Sequence, residues 1–293
     1  MSLSDRFFNS KDGRYLKIIT SRRGDQSVIL INRVCHYSVE VFLSNAQIIS
    51  WTNSNGEELL FVSQESTFKY KDPIRGGMSI CFPTFLNNGR IESPITGDWN
   101  IDNSLSEPME KASVDLILKL GVRDRTKWPR FEFRVTFELG DPGDLSVTSR
   151  IKNVDKNMPF TFKFAYQTYL AVSNIRDISI KGLNNVEYIN YQDNNRFTER
   201  AGEDPIYIES EVDRAYVKIP PLKSIAVRDH VRNRTFIIAK NELPDFVLWN
   251  PWENTGDAMA DMRRGDYRRM LCVGGGAVES EITLNPNEEW KRN

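Results

Sequence analysis

Histidine and cysteine are scarce in this chain: His36 and His230 are its two histidines, and Cys35, Cys81 and Cys272 its three cysteines, in 293 residues. The histidines lie too far apart to suggest a metal cluster. An odd number of widely spaced cysteines forms neither a disulfide framework nor a zinc pattern. Buried thiols in a reducing compartment are the plainer reading, and no metal or cofactor is expected. Excess charge is missing too. Lys and Arg total 39 against 40 Asp and Glu, a formal net charge of −1. That excludes the strongly basic balance of a general nucleic-acid or anionic-membrane binder. No run approaches the roughly 18 apolar residues of a membrane-spanning helix. The opening residues, MSLSDRFFNSKDGRYLK, hold Asp5 and Asp12 and no apolar stretch, so no secretory leader is expected and the cytoplasm is the expected location. Helical periodicity is sparse, with a turn or two around residues 265–271 as its best candidate.

What is present is a period of two. Apolar residues make up 40% and aromatics 11%, enough to build a core and to exclude a disordered chain. Phe131–Leu139 reads FEFRVTFEL, alternating apolar and polar without a fault, as a strand with one greasy face must. The cluster GDPGD follows as a turn, and residues 145–151 resume as a strand, which makes a β-hairpin. Strands are also expected over 14–20, 27–31, 39–51, 113–120, 160–170, 177–180, 206–208 and 277–284. A second hairpin joins 223–228 to 235–239 across the corner DHVRNR. The polar stretch 184–204 reads as a long decorated loop. Many short strands without alternating helices predict an all-β, antiparallel sandwich. Strands throughout, with no linker-like stretch, predict one domain over 1–293.

Three segments stand out against this background. Residues 73–83, PIRGGMSICFP, set Gly76 and Gly77 beside Arg75. Paired glycines let a backbone run close to another chain segment or to a ligand, and the guanidinium fork suits a phosphate or carboxylate; a β-bulge with a surface Arg accounts for the same residues. Residues 247–252, VLWNPW, place Trp249 and Trp252 around Asn250. Flat indoles suit the apolar face of a sugar ring and Asn its hydroxyls, although two tryptophans near a turn are more often core anchors. In residues 211–216, EVDRAY, Asp213 and Ala215 share a face. If that face lines a pocket Asp213 reaches a hydroxyl; otherwise it sits on a solvated edge. The basic pairs 232/234, 263/264 and 268/269 lack the interleaved aromatics of a nucleic-acid groove.

These segments fall in chain order with others: RGGMSICFPTF at 75–85, FKFAYQTYLAVS at 162–173, EVDRAY at 211–216, LPDFVLWNPWENTGDAMADM at 243–262, DYRRMLCV at 266–273 and LNPNEEW at 284–290. Together they resemble the hexose-6-phosphate mutarotase (glucose-6-phosphate 1-epimerase) branch of the aldose 1-epimerase family, in wording closest to its plant members. The likeness is collinear from about Gly13 to Trp290. It implies a galactose-mutarotase-like β-sandwich with a ligand cleft across one concave sheet, a monomer without cofactor, and a small-molecule ligand. By default that ligand is a sugar phosphate. The retained ligand-binding positions are Arg75, Gly76, Gly77, Trp249, Asn250, Trp252 and Asp261, with Asp213 and Tyr166 as further pocket residues.

Mutarotases open and reclose a sugar ring, with a base for the anomeric hydroxyl proton and an acid for the ring oxygen. The resemblance implies a Glu and a His for these tasks. Here the family's Cys-Val-Glu block reads Cys272-Val273-Gly274, and its His-Thr-Tyr block reads Gln167-Thr168-Tyr169. A third block with a His and an Arg is expected between Phe85 and Trp99, where Arg90 is the nearest substitute. Gln donates a hydrogen bond but transfers no proton near neutral pH. Tyr166, Gln167 and Asp213 are therefore the substitute catalytic candidates. Three readings follow: a sugar-phosphate isomerase with replaced acid and base; an isomerase or cyclase turned to a small, less polar carbonyl or enol metabolite; and a non-catalytic binding or scaffold protein. An apolar pocket near Gly274 favours the second.

Overall fold

In the computed structural model, residues 6–9, 14–20, 26–68, 74–85, 97–102, 112–120, 129–199, 205–221 and 223–293 are described. Arg90 lies outside them. The strands are Arg6–Asn9 (β1), Arg14–Thr20 (β2), Gln26–Asn32 (β3), Tyr37–Phe42 (β4), Gln47–Thr52 (β5), Met78–Cys81 (β6), Gly97–Ile101 (β7), Ala112–Leu120 (β8), Phe131–Leu139 (β9) and Leu145–Asn153 (β10). They continue with Phe160–Ala171 (β11), Ile178–Lys181 (β12), Glu187–Asn190 (β13), Asn195–Thr198 (β14), Val212–Tyr216 (β15), Ile225–Asp229 (β16), Arg234–Ile238 (β17), Asp245–Asn250 (β18), Met270–Leu284 (β19) and Glu289–Arg292 (β20). Among the described residues, one short α-helix, Trp252–Ala258 (α1), and 3₁₀ turns at Ile175–Asp177 and Asp266–Arg269 complete the elements.

The strands form antiparallel sheets, as the alternation predicts. A twelve-stranded sheet runs β1-β2-β3-β4-β5-β6-β11-β19-β18-β15-β13-β14, a five-stranded sheet β20-β10-β9-β8-β7, and a three-stranded sheet β12-β16-β17. In β9 the alternation is literal: Phe131, Phe133, Val135, Phe137 and Leu139 are buried and the residues between them are not. Its hairpin with β10 pairs Leu139 with Leu145 and Phe131 with Asn153. Both small sheets back onto one face of the large sheet. Tyr166 of β11 belongs to the core shared with β8 and β9, while Leu170 belongs to the core shared with β12, β16 and β17. Residues 166 and 170 point to the same side of a strand, so both cores lie on that side, the inner face. The odd-numbered residues of β11 occupy the other side, the outer face.

Some expected boundaries move. The run 39–51 is two strands, β4 and β5, joined by a tight turn at 43–46 in which Ala46 takes a positive φ of 51°. The turn signal there is only Ser44-Asn45, set between the apolar residues Leu43 and Ala46. The stretch 184–204 is not wholly loop, since β13 and β14 form a hairpin within it. Residues 206–208 contribute only an isolated bridge from Ile206 to Ile180. Helix α1 was not anticipated; seven residues are too few to show a period.

Candidate functional site

Register builds a row of side chains across the outer face. Tyr169 of β11 pairs with Cys272 of β19, Cys272 with Trp249 of β18, and Trp249 with Asp213 of β15. Directly paired residues share a face, so these four stand side by side at strand spacings of about 4.8 Å. Gln167, two residues before Tyr169, stands one row further along and pairs with Ser79 of β6.

Arg75 enters this row from the loop before β6. Gly76 and Gly77 make its approach possible: both have positive φ (121° and 65°), and a Cβ would come within 2.3 Å of the Phe61 carbonyl oxygen at Gly76 and 2.0 Å of that of Ile48 at Gly77. Only glycine fits at so close a backbone approach. The Arg75 side chain is buried; its Nε donates to Asp261 Oδ2 at 2.9 Å, its Nη2 to the same oxygen at 2.8 Å, and its Nη1 to the Tyr169 hydroxyl at 3.2 Å. Its guanidinium also stands 5.6 Å from the centroid of the Trp249 ring. Burial works against the guanidinium charge, but Tyr169 and Asp261 outweigh it, and the Arg75 pKa is raised. The partners are unequally covered, with side-chain exposure of 5% for Arg75 and 42% for Asp261. Asp261 therefore caps the cation from the solvent side, and an anion approaching Arg75 from solvent must displace or share that carboxylate.

Gln167 is 5% exposed, and its Oε1 accepts no hydrogen bond. A buried amide oxygen without a donor costs about 1–3 kcal/mol relative to one that is satisfied. Burial raises the Tyr169 hydroxyl and the Cys272 thiol far above their ordinary pKa values, so neither is a proton donor near neutral pH nor a thiolate nucleophile. Tyr191 is pushed up to about 12, by burial first and then by the charge of Asp213. Among the described residues, no group of three or more His, Cys, Asp or Glu is placed to hold a metal.

Arg75, Asp261, Trp249, Asp213 and Gln167 thus share the outer face, but three expected pocket residues do not. Tyr166 points to the inner face, because adjacent strand residues alternate; its hydroxyl donates to Ser149 Oγ at 2.9 Å, and it is fully buried with its pKa raised by burial. It is a bolt between the sheets and not a catalytic acid. Asn250 is the inner-face neighbour of Trp249; its Nδ2 donates to the carbonyls of Tyr267 and Met270 at 2.8 and 2.9 Å and its Oδ1 accepts from the Trp252 amide. Trp252, with φ 56°, opens α1 and lies against Tyr267 and under the Arg176 guanidinium. These two residues shape the β18–α1 corner. Gly274 approaches β11 so closely that a Cβ there would meet the Tyr166 carbonyl oxygen at 1.8 Å. Tyr169 and Cys272 went unremarked as site residues, although the parity that puts Gln167 on the outer face puts Tyr169 there as well.

Two broad sheets enclosing a core, one face of the larger bearing a buried guanidinium, the Trp249 indole and the Gln167 amide, define a galactose-mutarotase-like sandwich. Solved structures share the fold. A crystal structure of a "putative mutarotase" from Salmonella typhimurium matches with a TM-score of 0.77 at 19% identity, covering 98% of this chain and 95% of that one. A galactose 1-epimerase from Lactobacillus acidophilus matches with a TM-score of 0.64 at 12% identity, covering 94% and 96%. The aldose 1-epimerase family model matches residues 27–293. A Cenchrus ciliaris protein named "Putative glucose-6-phosphate 1-epimerase" is 42% identical over 288 residues, which is 94% of this chain and 86% of that protein. An Escherichia coli K12 protein of the same name is 25% identical over 263 residues, 87% and 85% of the two chains. The chain belongs to the aldose 1-epimerase family.

Proposed function

We propose that the chain binds an aldose 6-phosphate on the outer face of its large sheet and interconverts its anomers there with a substituted acid–base pair. The phosphate goes to Arg75, with Asp261 swinging outward to admit it. The sugar ring lies toward Trp249, Gln167 and Asp213. In the reaction Asp213 takes the anomeric hydroxyl proton, and the bond between C1 and the ring oxygen breaks with its electron pair staying on that oxygen. The oxygen is protonated from solvent and steadied by the Gln167 amide. Rotation about C1–C2 and the reverse steps give the other anomer. Glutamine at 167 and glycine at 274 stand where the family resemblance implies the histidine and glutamate, so the catalyst is a weak one.

The observation that carries this reading is the Gln167 Oε1, a buried acceptor with no donor, on the face that holds Arg75 and Trp249. A sugar hydroxyl supplies the missing donor. A second reading, binding without turnover, is favoured by the raised pKa values of Tyr169 and Cys272, which leave neither of them as an acid near neutral pH.

Calorimetric titration with glucose 6-phosphate and with glucose tests the binding part. Loss of about 1.4 kcal/mol, a tenfold weaker affinity, is expected for both ligands in Gln167→Met. Arg75→Met is expected to weaken only the phosphorylated sugar. Unchanged glucose 6-phosphate affinity in both variants contradicts the assignment.

A further inference from the structure

The inner face holds a cavity of about 630 Å³ where the β9–β10 hairpin turn and β17 fail to meet over the large sheet. Each small sheet covers its own stretch of that sheet, and Tyr37 and Trp51 pack against both cores, marking the seam between them. The volume is that of a small-molecule site. Tyr37, Trp51, Tyr166, Leu170, Phe236 and Leu243 line it, with Gly274 and Gly275 contributing bare backbone. It is largely apolar and aromatic.

Three buried donors of its lining residues lack acceptors, beside polar lining residues such as Asn53, Asp144 and Thr168. The Nε1 of Trp51 and the Nε and Nη1 of Arg234 are buried and make no hydrogen bond. Arg234 is held in place by its remaining nitrogen, Nη2, which donates to the Ala171 carbonyl at 2.7 Å, and by the Phe236 ring, 4.6 Å from the guanidinium carbon. Burial first, and then the like charge of Arg232, lower its pKa against the opposing pull of Asp229 and Glu57. Trp51 and Arg234 are tied to the same stretch of backbone. The Leu59 amide donates to the Trp51 carbonyl and the Ala171 amide to the Leu59 carbonyl, so only about two strand spacings, roughly 10 Å, separate Trp51 from the carbonyl that anchors Arg234. A second cation lining the cavity already has acceptors: Lys240 Nζ donates to the carbonyls of Ile219 and Leu243.

We propose that this cavity is a second ligand site, separate from the outer face, for an amphipathic monoanion. Its apolar body, of about a dozen carbon atoms, fills the aromatic seam. Its carboxylate accepts from the Trp51 indole and the unbonded edge of the Arg234 guanidinium, because buried donors without acceptors gain most from a charged acceptor. A sugar phosphate is a poor occupant, since its hydroxyls find an apolar wall.

Dodecanoate below its micellar concentration is the probe. Titration is expected to give one site per chain and to move one indole N–H resonance in the ¹⁵N spectrum, the resonance that disappears in Trp51→Phe. Dodecan-1-ol, which lacks the charge, is expected to bind at least tenfold more weakly. Arg234→Met is expected to weaken dodecanoate at least tenfold, and Thr168→Phe, which narrows the cavity, to weaken it similarly. Gln167→Met and excess glucose 6-phosphate are expected to leave it unchanged, so this site and the outer-face site stand or fall separately. No movement of the Trp51 indole in the unmodified protein overturns the proposal, as does unchanged dodecanoate affinity in folded Arg234→Met and Thr168→Phe.

Discussion

Replacing Gly274 by alanine tests whether this position is held by packing as well as by chemistry. The added methyl would sit 1.8 Å from the Tyr166 carbonyl oxygen and 2.7 Å from its carbonyl carbon. Both are backbone atoms of the longest interface in the sheet, between β11 and β19, and Tyr166 is pinned by its hydrogen bond to Ser149. No side chain can swing aside. Overpacking a core costs about 1–3 kcal/mol, and a clash with pinned backbone belongs at the upper end, about 3 kcal/mol. For a chain of this size about 2–4 °C of melting temperature goes with each kcal/mol, so a loss of about 6–12 °C is expected. Gly275→Ala is the internal control. Its nearest neighbour is the Leu243 Cδ1 at 3.0 Å, a side-chain tip that can rotate, so a cost of about 1 kcal/mol is expected. Thermal unfolding followed by circular dichroism compares the two. A melting temperature for Gly274→Ala equal to that of the unmodified protein, or a loss no larger than that of Gly275→Ala, refutes the packing argument. If the argument holds, placing a glutamate at 274 does not restore a catalytic carboxylate, because the backbone has closed over its place.

Other consequences can be measured. Arg75→Met breaks a buried ion pair; since Asp261 stays partly exposed and rehydrates, the expected loss is about 2 kcal/mol rather than the larger figure for a fully buried pair, read from the urea midpoint. Tyr166→Phe removes a buried hydroxyl shared between Ser149 Oγ and the Val147 carbonyl, for about 1 kcal/mol of stability, and leaves glucose 6-phosphate affinity unchanged. Asp229 is buried, which opposes its charge, yet the backbone amides of Arg232 and Ser173 and the Ser173 hydroxyl hold its carboxyl below the usual range. Its contribution is present above the unfolded Asp pKa of about 3.9 and is lost as pH falls through the lower folded value, so Asp229→Asn is expected to destabilise at pH 7 and to flatten the stability profile below about pH 4. His36 and His230 are exposed turn residues, and changing either to Ala is expected to leave anomer exchange unaltered; a large loss would mean that proton transfer runs through a histidine after all.

Strand alternation made the architecture legible. The faultless pattern of 131–139 reappears as buried and half-covered residues in turn, and the Asp229 corner is the tight hairpin turn its polar residues imply. That Asp213 and Trp249 stand on one face of adjacent strands is a matter of register, which parity within each strand does not give. What the alphabet of motifs could not give was orientation within a motif. In VLWNPW the neighbours Trp249 and Asn250 look equally suited to a sugar, but consecutive residues of a strand face opposite ways, and Asn250 spends its amide on the inner-face backbone. Tyr166 and Gln167 divide in the same manner. In the RGG segment the glycines serve close backbone packing, as that reading has it, but Arg75 is buried on the outer face and is not the surface arginine of the bulge reading. The seam that forms the inner-face cavity was invisible in sequence because it depends on how two separate sheets share one surface. Residues as distant in sequence as Trp51 and Arg234 line it together.

The Arg75–Asp261 pair gives the outer face a testable asymmetry. Its cation is buried and its anion partly exposed, so the pair opens from the carboxylate side at modest cost while the guanidinium stays in place against Tyr169 and Trp249. Asp261→Asn keeps the shape and removes the competing charge, and tighter glucose 6-phosphate binding by a few-fold is expected from calorimetry. Weaker binding would mean that Asp261 contacts the sugar rather than guarding the phosphate site.

The decisive measurement is magnetisation exchange between the α and β anomers of glucose 6-phosphate, recorded with and without the protein. Exchange faster than the spontaneous rate, and returned to that rate by Asp213→Asn, is the expected result. No acceleration at protein concentrations that saturate binding contradicts the proposed isomerase and leaves a sugar-phosphate-binding protein.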